Sequence, residues 1–320
     1  MNAKTKGYIL GSVAAATYGM NPLFALPLYK EGMSADSVLF FRYLFAIPIL
    51  AVMLKLRGRD FKLPRRAVLP LFCYGIIFAL SSVTLFLSYN YMAAGIASTL
   101  LFVYPILVAL IMTLLFKERL SVQTILCILL AVGGIALLYR SSDGSTLSLA
   151  GTLLVFLSSL SYAVYLVGIN RSGLKDIATI KVTLYVLMFG LLLFAGRIAY
   201  AGEIQIPDKW YMWGILFAFG LFPTAISLLC TTSAIQYIGS TPTAILGALE
   251  PVTAVIFGIT VFGESLTARE FCGLVMIITA VTMVIAGGSI TVHLIRFRKM
   301  FPKLPFTRDG GRIRGDRKSN

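Results

Sequence analysis

Charge is scarce in this sequence. Only 13% of its 320 residues are Asp, Glu, Lys or Arg, whereas 58% are hydrophobic and the mean hydropathy is +0.88. A soluble domain uses about 25% charged residues to cover its surface, so that class is excluded. Apolar runs of about 20 residues follow one another, and each can cross a bilayer core of roughly 30 Å as a helix. The composition therefore predicts an all-α polytopic membrane protein.

Catalytic and metal-binding groups are also scarce. The sequence holds one histidine, His293, and has no HExxH pattern, no paired aspartates and no clustered thiols. Intramembrane hydrolases need a nucleophile with its base, or metal ligands, so an enzyme is not expected. The P-loop pattern is absent too, which argues against ATP as an energy source. The four cysteines lie within apolar stretches as small hydrophobes, so neither a disulfide framework nor a cofactor is expected.

The distribution of positive charge predicts an orientation in the membrane. The net charge is +15, but the cations lie in short loops and in the C-terminal tail, so a nucleic-acid partner is not expected. With the N-terminus in the cytoplasm, the outer side receives only Lys30, Arg140, Arg197, Lys209 and Arg269. Cytoplasmic loops of membrane proteins carry the excess of Lys and Arg. We therefore expect a multi-pass protein of the plasma (inner) membrane with both termini in the cytoplasm.

Ten apolar spans are predicted, five in each half of the sequence. They cover residues 7–29, 37–56, 67–90, 96–116, 122–139, 149–170, 179–200, 212–236, 241–262 and 268–290. Because five is odd, the second half (146–290) must enter the membrane from the side opposite to the first half (1–145), which makes a 5+5 inverted repeat. The basic tail, 291–320, is predicted to be disordered at the cytoplasmic surface.

The fourth and ninth spans share a pattern that supports this duplication. Each carries a proline, Pro105 or Pro251, and the residue before it is Tyr104 in one span and Glu250 in the other. Proline lacks a backbone N–H and interrupts a helix, so both prolines are expected to have structural roles. Pro251 is also expected to leave a carbonyl near Gly247 free for a ligand, a water molecule or a side chain.

Glu250 is the strongest candidate for a functional group. An ionised carboxylate at bilayer depth costs about 2.5 kcal/mol or more unless it is paired, hydrated or protonated, so such groups face a cavity or a polar partner. Glu250 is predicted to recognise a substrate amine, to exchange protons, or both. The alternative is a hydrogen-bond hub that holds the broken helix together. Tyr104 is expected to face the same cavity by symmetry, and a tyrosine packed between helices is an equal alternative.

Further candidates lie on equivalent helices of both halves and predict a central polar cavity. The predicted substrate-binding set is Tyr18, Asn21, Tyr89, Tyr104, Tyr162 and Glu250.

Two more features concern helix packing. Arg42, near the outer boundary of the second span, has three alternative roles: snorkelling to the headgroups, an ion pair with Glu250, or attraction of a substrate carboxylate. The first span also carries a small residue at every fourth position, which predicts close approach of a neighbouring helix. These positions are Gly7, Gly11, Ala15 and Gly19.

The order of these features resembles the EamA-type branch of the drug/metabolite transporter superfamily, over nearly the whole chain to about residue 288. The motifs are Tyr18-Gly19, Phe41-Arg42-Tyr43, Pro105 with Phe116-Lys117-Glu118-Arg119-Leu120, and Glu250-Pro251 with Phe262-Gly263-Glu264-Ser265-Leu266. The most specific part is the Glu-x-Leu element, which follows the proline at the same distance in both halves. Tyr18 stands where the family often has tryptophan, and the second half lacks a close copy of Phe-Arg-Tyr, so substrate identity stays open.

The resemblance implies a secondary transporter, most often an exporter of small organic metabolites such as amino acids or their derivatives. Its alternating-access cavity would be formed by helices one to four and six to nine. Proton coupling through Glu250 and facilitated diffusion are both open. The alternative function is a lipid or polyprenyl-linked-sugar translocator with the same fold, which needs no catalytic set. The expected partners are a small-molecule substrate and membrane lipids, and the chain is expected to be a monomer or homodimer.

Overall fold

The computed structural model describes residues 2–88, 90–91, 97, 100–117, 120–138, 148–201, 204–262, 268–269, 271–280 and 283, and this part of the chain is built of helices. The first half contains α1 (Ala3–Tyr18), α2 (Asn21–Lys30), α3 (Ala35–Leu56), α4 (Arg65–Ser88), α5 (Tyr104–Phe116) and α6 (Val122–Leu138). The second half contains α7 (Leu149–Arg171), α8 (Thr179–Ala201), α9 (Trp210–Phe219), a π-helical segment (Gly220–Ile226), α10 (Ser227–Ile238), α11 (Ser240–Leu246), α12 (Leu249–Phe262) and α13 (Phe271–Ala280).

These helices confirm the prediction of an all-α polytopic membrane protein. Six helical stretches in the described part are long and apolar enough to cross a membrane, and three shorter apolar helices of 10–17 residues accompany them. The second, third, fifth, sixth and seventh predicted spans begin and end within about two residues of α3, α4, α6, α7 and α8. In the fourth, α5 begins only at Tyr104, and in the tenth the described helix α13 covers residues 271–280. The predicted tail, 291–320, lies outside the described residues.

The first, eighth and ninth predicted spans are interrupted within the described part of the chain. The first breaks between α1 and α2 at Gly19 and Met20, and the ninth breaks between α11 and α12. The eighth passes from α9 to α10 through the π-helical segment, which contains Pro223. There the Thr224 hydroxyl donates to the Phe219 carbonyl at 2.9 Å. Interrupted helices expose backbone polar groups, which a membrane tolerates only inside the protein, so these breaks mark the interior of the bundle.

The two halves interlock through equivalent helix pairs. Helix α1 packs along α10, and the equivalent helices of the other repeat, α7 and α4, also pack along each other. Helix α4 packs against α8, and the equivalent contact in the other repeat is that of the π-helical segment with α3. Helices α3 and α8, the second span of each half, run antiparallel. Asp36 near the start of α3 pairs with Arg197 near the end of α8, and Asp60 after α3 pairs with Lys181 at the start of α8. Antiparallel equivalent helices are what an inverted repeat requires.

The loops at the predicted outer end form a polar clasp between the halves. Glu31 accepts hydrogen bonds from the Lys209 ammonium and the Tyr211 hydroxyl, both at 2.6 Å. These two donors hold the pKa of the exposed Glu31 carboxyl below its ordinary value. Beside them, the Gln205 side chain accepts from the Ser34 backbone N–H. The clasp ties the loop before α3 to the loop before α9.

The stripe of small residues in α1 packs against the second half, which confirms its predicted role. A Cβ at Gly7 would lie 2.6 Å from Ile238, and one at Gly11 would lie 2.5 Å from Leu246. Further along, a Cβ at Gly19 would lie 2.5 Å from the backbone oxygen of Glu250. Backbones can approach this closely only where no side chain separates them. The stripe therefore sets the distance between α1 and the helix that carries Glu250.

Substitution of Gly19 by alanine is expected to force α1 and α12 apart, because the new methyl group would meet the backbone of Glu250 and, at 2.9 Å, the side chain of Thr253. Overpacking of this kind costs about 1–3 kcal/mol. Denaturant titration of the purified protein in detergent, followed by helical circular dichroism, would measure the loss. Gly214→Ala is the matched control, because a Cβ at Gly214 meets nothing within 4 Å. Equal stability of the two variants would contradict this close packing.

Candidate functional site

A narrow polar cavity lies where the two halves meet. Its lining combines small residues of α1 with tyrosines and hydroxyl groups from four other helices. The lining residues are Gly11, Ala14, Ala15, Tyr18, Tyr104, Tyr162, Leu166, Ser227, Thr231, Thr243, Gly247 and Glu250. The room for the centres of water-sized molecules is about 20 Å³, enough for about one water. Ligand pockets are typically about 300–1,000 Å³, so this cavity would have to widen to hold a ligand of that size.

Glu250 lies in the wall of this cavity and is half-buried. It is the second residue of α12, where the dipole of a helix N-terminus favours a negative charge. The side chains of Tyr18, Tyr104 and Tyr162 lie close enough to interact electrostatically with its carboxylate. The break between α11 and α12 therefore places the ionisable carboxylate in a polar cavity, which avoids the free-energy cost of a charge in lipid.

Tyr104 spans from the first half of the bundle to the second. It is buried on the cavity wall, and its hydroxyl donates a 3.1 Å hydrogen bond to the Ala244 carbonyl in α11. Its ring packs edge-on against Tyr162, with the ring centroids 4.9 Å apart. A side chain at Gly247 would overlap the Tyr104 hydroxyl. The Tyr104 hydroxyl therefore packs directly against Gly247, which joins α5 to the break in the ninth span.

The expected free carbonyl near Gly247 is not found there. The Gly247 carbonyl accepts the Glu250 N–H at 2.9 Å, and the Ala248 N–H bonds to the Ile245 carbonyl. These bonds close tight turns across the break, so the Gly247 carbonyl is already occupied. The carbonyl that a side chain does bind is that of Ala244, one turn earlier, which Tyr104 occupies.

Arg42 reaches across the bundle instead of snorkelling to the headgroups. The residue is 1% exposed. Its Nε donates to the Thr224 hydroxyl at 2.5 Å and its Nη2 donates to the Pro223 carbonyl at 3.1 Å. The guanidinium also lies over the ring of Phe219, 4.7 Å from the centroid, and 5.6 Å from that of Tyr18. Snorkelling is therefore wrong, and the guanidinium fixes α3 to the carbonyl that the π-helical segment exposes.

The Nη1 atom of Arg42 is buried without a hydrogen-bond partner in the described part of the chain. Arg42 and Glu250 interact electrostatically, but the described residues include no direct ion pair between them. Tyr18 lies beside both groups. A cation and a carboxylate from opposite halves of the chain therefore lie on either side of Tyr18, with Glu250 lining the cavity and Arg42 lying behind its wall.

The other predicted residues differ in how close the structure places them to the cavity. Pro105 is buried in the first turn of α5, and Pro251 stands in the first turn of α12. Asn21 begins α2 close to Tyr18 but does not line the cavity, and its buried Oδ1 has no hydrogen-bond partner among the described residues. Tyr89 lies outside the described residues. The two prolines therefore begin the helices that present Tyr104 and Glu250.

Sequence reasoning missed Thr243 as part of the site, and at Gly247 it expected a free carbonyl and not the contact with Tyr104. Thr243 lines the cavity, and its own hydroxyl donates to the Gly239 carbonyl at 2.7 Å. Gly247 and Thr243 precede Glu250 by three and seven residues, so in an unbroken helix of 3.6 residues per turn they would lie close to the face of Glu250. The hydroxyl groups of α4, by contrast, bond to other helices or to carbonyls of α4 itself, as Thr84 and Ser88 do. Ser81, for example, lies 3.1 Å from Ser158 in α7.

Apolar helices in two interlocked halves, with broken helices and a carboxylate around a central cavity, are typical of polytopic membrane transporters. The profile of the EamA-like transporter family matches residues 5–140 and again residues 149–286. The chain belongs to this family, within the drug/metabolite transporter superfamily. The two matches also show that the chain consists of two related repeats.

Named relatives and a solved structure agree with this assignment. An uncharacterized transporter of Archaeoglobus fulgidus is 27% identical over 76% of this chain and 82% of its own. The threonine/homoserine exporter RhtA is 29% identical in Salmonella typhimurium, over 66% of this chain and 69% of its own, and 26% identical in Escherichia coli, over 70% and 72%. One crystal structure superposes with a TM-score of 0.75 at 15% identity, covering 91% of this chain and 99% of that one.

Proposed function

We propose that this protein exports small zwitterionic metabolites, amino acids or close derivatives, by alternating access through the central cavity. The observation that carries the proposal is the Glu250 carboxylate in a polar cavity between the two halves. The similarity to RhtA supports export and supports threonine and homoserine as the first compounds to test. Hydroxyl and phenol groups on the cavity wall suit a water-soluble ligand better than the apolar chain of a lipid-linked sugar.

In this proposal the substrate lies between two opposite charges. The Glu250 carboxylate binds the substrate amine, and the spare Nη1 of Arg42 attracts the substrate carboxylate. Tyr18, Tyr104 and Tyr162 supply rings and hydroxyl groups around the same space. Because the described residues hold no direct ion pair between Arg42 and Glu250, a ligand with both charges can take a place between them. The roles of Asn21 and Tyr89 at this site stay predictions.

The transport cycle follows from the interlocked halves. From the antiparallel α3 and α8 and from the charge distribution we infer ten spans in a 5+5 inverted repeat. The protein lies in an inner membrane of bacterial type, with both termini on the cytoplasmic side. Rocking of one half against the other opens the cavity to one side and then to the other. Protonation of Glu250 removes its attraction for the substrate amine, which couples the cycle to protons.

A competition experiment in proteoliposomes tests the substrate class. Uptake of labelled threonine would be measured in the presence of unlabelled threonine, of its amino alcohol and of the hydroxy acid that lacks the amine. We expect threonine to compete at least tenfold better than either analogue, since a charge-assisted hydrogen bond contributes roughly 1.5–3 kcal/mol. Equal competition by the three compounds would contradict recognition of both charges, and no saturable uptake of any amino acid tested would contradict amino-acid export.

A further inference from the structure

A second cavity opens on the outside of the bundle, away from the central site. It is a groove lined by residues of α4 and α8, with Asp36 of α3 at one end. Its room for the centres of water-sized molecules is about 620 Å³, within the range of roughly 300–1,000 Å³ that holds small-molecule ligands. The groove is therefore large enough for a ligand of its own.

The walls of the groove are apolar over the depth of one membrane leaflet. Phe72 and Ile76 of α4 form one side, and Leu192 and Leu193 of α8 form the other. From Leu192 to Tyr200 the helix rises about 12 Å, close to half of a hydrocarbon core of roughly 30 Å. An extended acyl chain of a single leaflet therefore fits its length and its polarity.

A close contact between α4 and α8 lies beside the groove. A Cβ at Gly75 would lie 2.7 Å from the Val186 carbonyl oxygen, and a Cβ at Gly190 would lie 3.0 Å from the Gly75 carbonyl oxygen. At Gly196, by contrast, a Cβ would meet nothing within 4 Å. The two helices therefore touch at the level of Gly75 and Gly190, and the space beside Gly196 is open.

The upper end of the groove carries one positive and one negative group. Arg197 binds Asp36 through two hydrogen bonds, Nε to Oδ1 at 2.8 Å and Nη2 to Oδ2 at 3.1 Å. The two side chains keep 37% and 25% of their surface exposed, and three of the five guanidinium N–H donors are not used in this pair. Tyr200, 97% exposed, stands one turn further out, where aromatic rings lie at headgroup level.

We propose that this groove is a binding site for a zwitterionic phospholipid with a primary-amine headgroup, such as phosphatidylethanolamine. One acyl chain lies between Phe72 and Leu192, the phosphate binds the unused donors of Arg197, and the amine donates to Asp36. An amine with three N–H donors can bond to a carboxylate, whereas the quaternary ammonium of phosphatidylcholine cannot. A headgroup with both charges matches the Arg–Asp pair without leaving either charge uncompensated.

Native mass spectrometry of the full chain in detergent tests the proposal. The protein would be titrated separately with phosphatidylethanolamine, phosphatidylcholine and phosphatidylglycerol of identical acyl chains. We expect at least fivefold tighter binding of the first lipid than of the other two. Gly196→Leu is expected to reduce that binding at least fivefold, because the new side chain fills open space in the groove without meeting protein atoms.

Gly214→Leu is the matched control, since Gly214 also faces open space but lies on α9, outside the groove. It is expected to bind phosphatidylethanolamine as the unmodified protein does. Equal binding of all three lipids, or unchanged binding by Gly196→Leu, would overturn the proposal. A change in the dimer fraction with Gly196→Leu, without a change in lipid binding, would also overturn it and would assign the groove to a second copy of the chain.

Discussion

Replacement of Glu250 by glutamine is expected to remove the proton dependence of transport. Glutamine keeps the shape and the hydrogen-bonding oxygen of the side chain but cannot take up or release a proton in the physiological range. Counterflow in proteoliposomes, measured across a series of external pH values, should change with pH in the unmodified protein and stay flat in the variant. The rate of uptake driven by an imposed pH gradient should fall at least tenfold, which corresponds to about 1.4 kcal/mol of activation free energy.

The same variant separates coupling from substrate recognition. If Glu250 also binds the substrate amine, the KM for an amino acid should rise about tenfold, while the KM for the corresponding hydroxy acid should hardly change. Glu31→Gln is the control, because Glu31 is an exposed carboxylate of the outer clasp, bound to Lys209 and Tyr211. Gradient-driven transport that keeps its pH dependence in Glu250→Gln would remove the coupling role of this residue.

The overall architecture could be predicted because the membrane constrains it strongly. Apolar runs of membrane length mark helices directly, and the positions of α6, α7 and α8 agree with the predicted spans to within about one residue. The stripe at Gly7, Gly11 and Gly19 was equally informative, because small residues at helical spacing have few uses other than close packing. The count of ten crossings stays a prediction, since parts of the sequence between the helices lie outside the described residues.

The candidate site could be predicted only in part. Glu250, Tyr18, Tyr104 and Tyr162 were identified because polar or aromatic groups at mid-membrane need a special environment. The partners of Arg42 could not be identified, because they depend on a π-helical segment more than 180 residues away. No local pattern shows which carbonyl such a segment exposes. The outer groove was also invisible in the sequence, since it is formed by residues of three helices and not by a motif.

Replacement of Arg42 by methionine is expected to have the largest effect on stability. It removes the donors to Thr224 and Pro223 and the cation above Phe219, and it leaves the Pro223 carbonyl buried without this partner. Hydrogen bonds from charged groups contribute roughly 1.5–3 kcal/mol each, so a loss of at least 3 kcal/mol is expected. Denaturant titration in detergent, with helical circular dichroism as the signal, would measure it.

Two further variants separate anchoring from substrate binding at Arg42. Thr224→Val removes the hydroxyl that Nε binds while Pro223 keeps its donor, so it should lose about half as much stability as Arg42→Met. Arg42→Lys keeps the positive charge but cannot reproduce the guanidinium fork, so its stability should be intermediate, and the KM for an amino acid should rise while that for the amino alcohol stays unchanged. Arg42→Met with unchanged stability and a selective loss of carboxylate substrates would contradict the anchoring role and leave only a ligand role. Unchanged carboxylate preference in Arg42→Lys, together with the expected instability of Arg42→Met, would restrict this side chain to holding α3 against the π-helical segment.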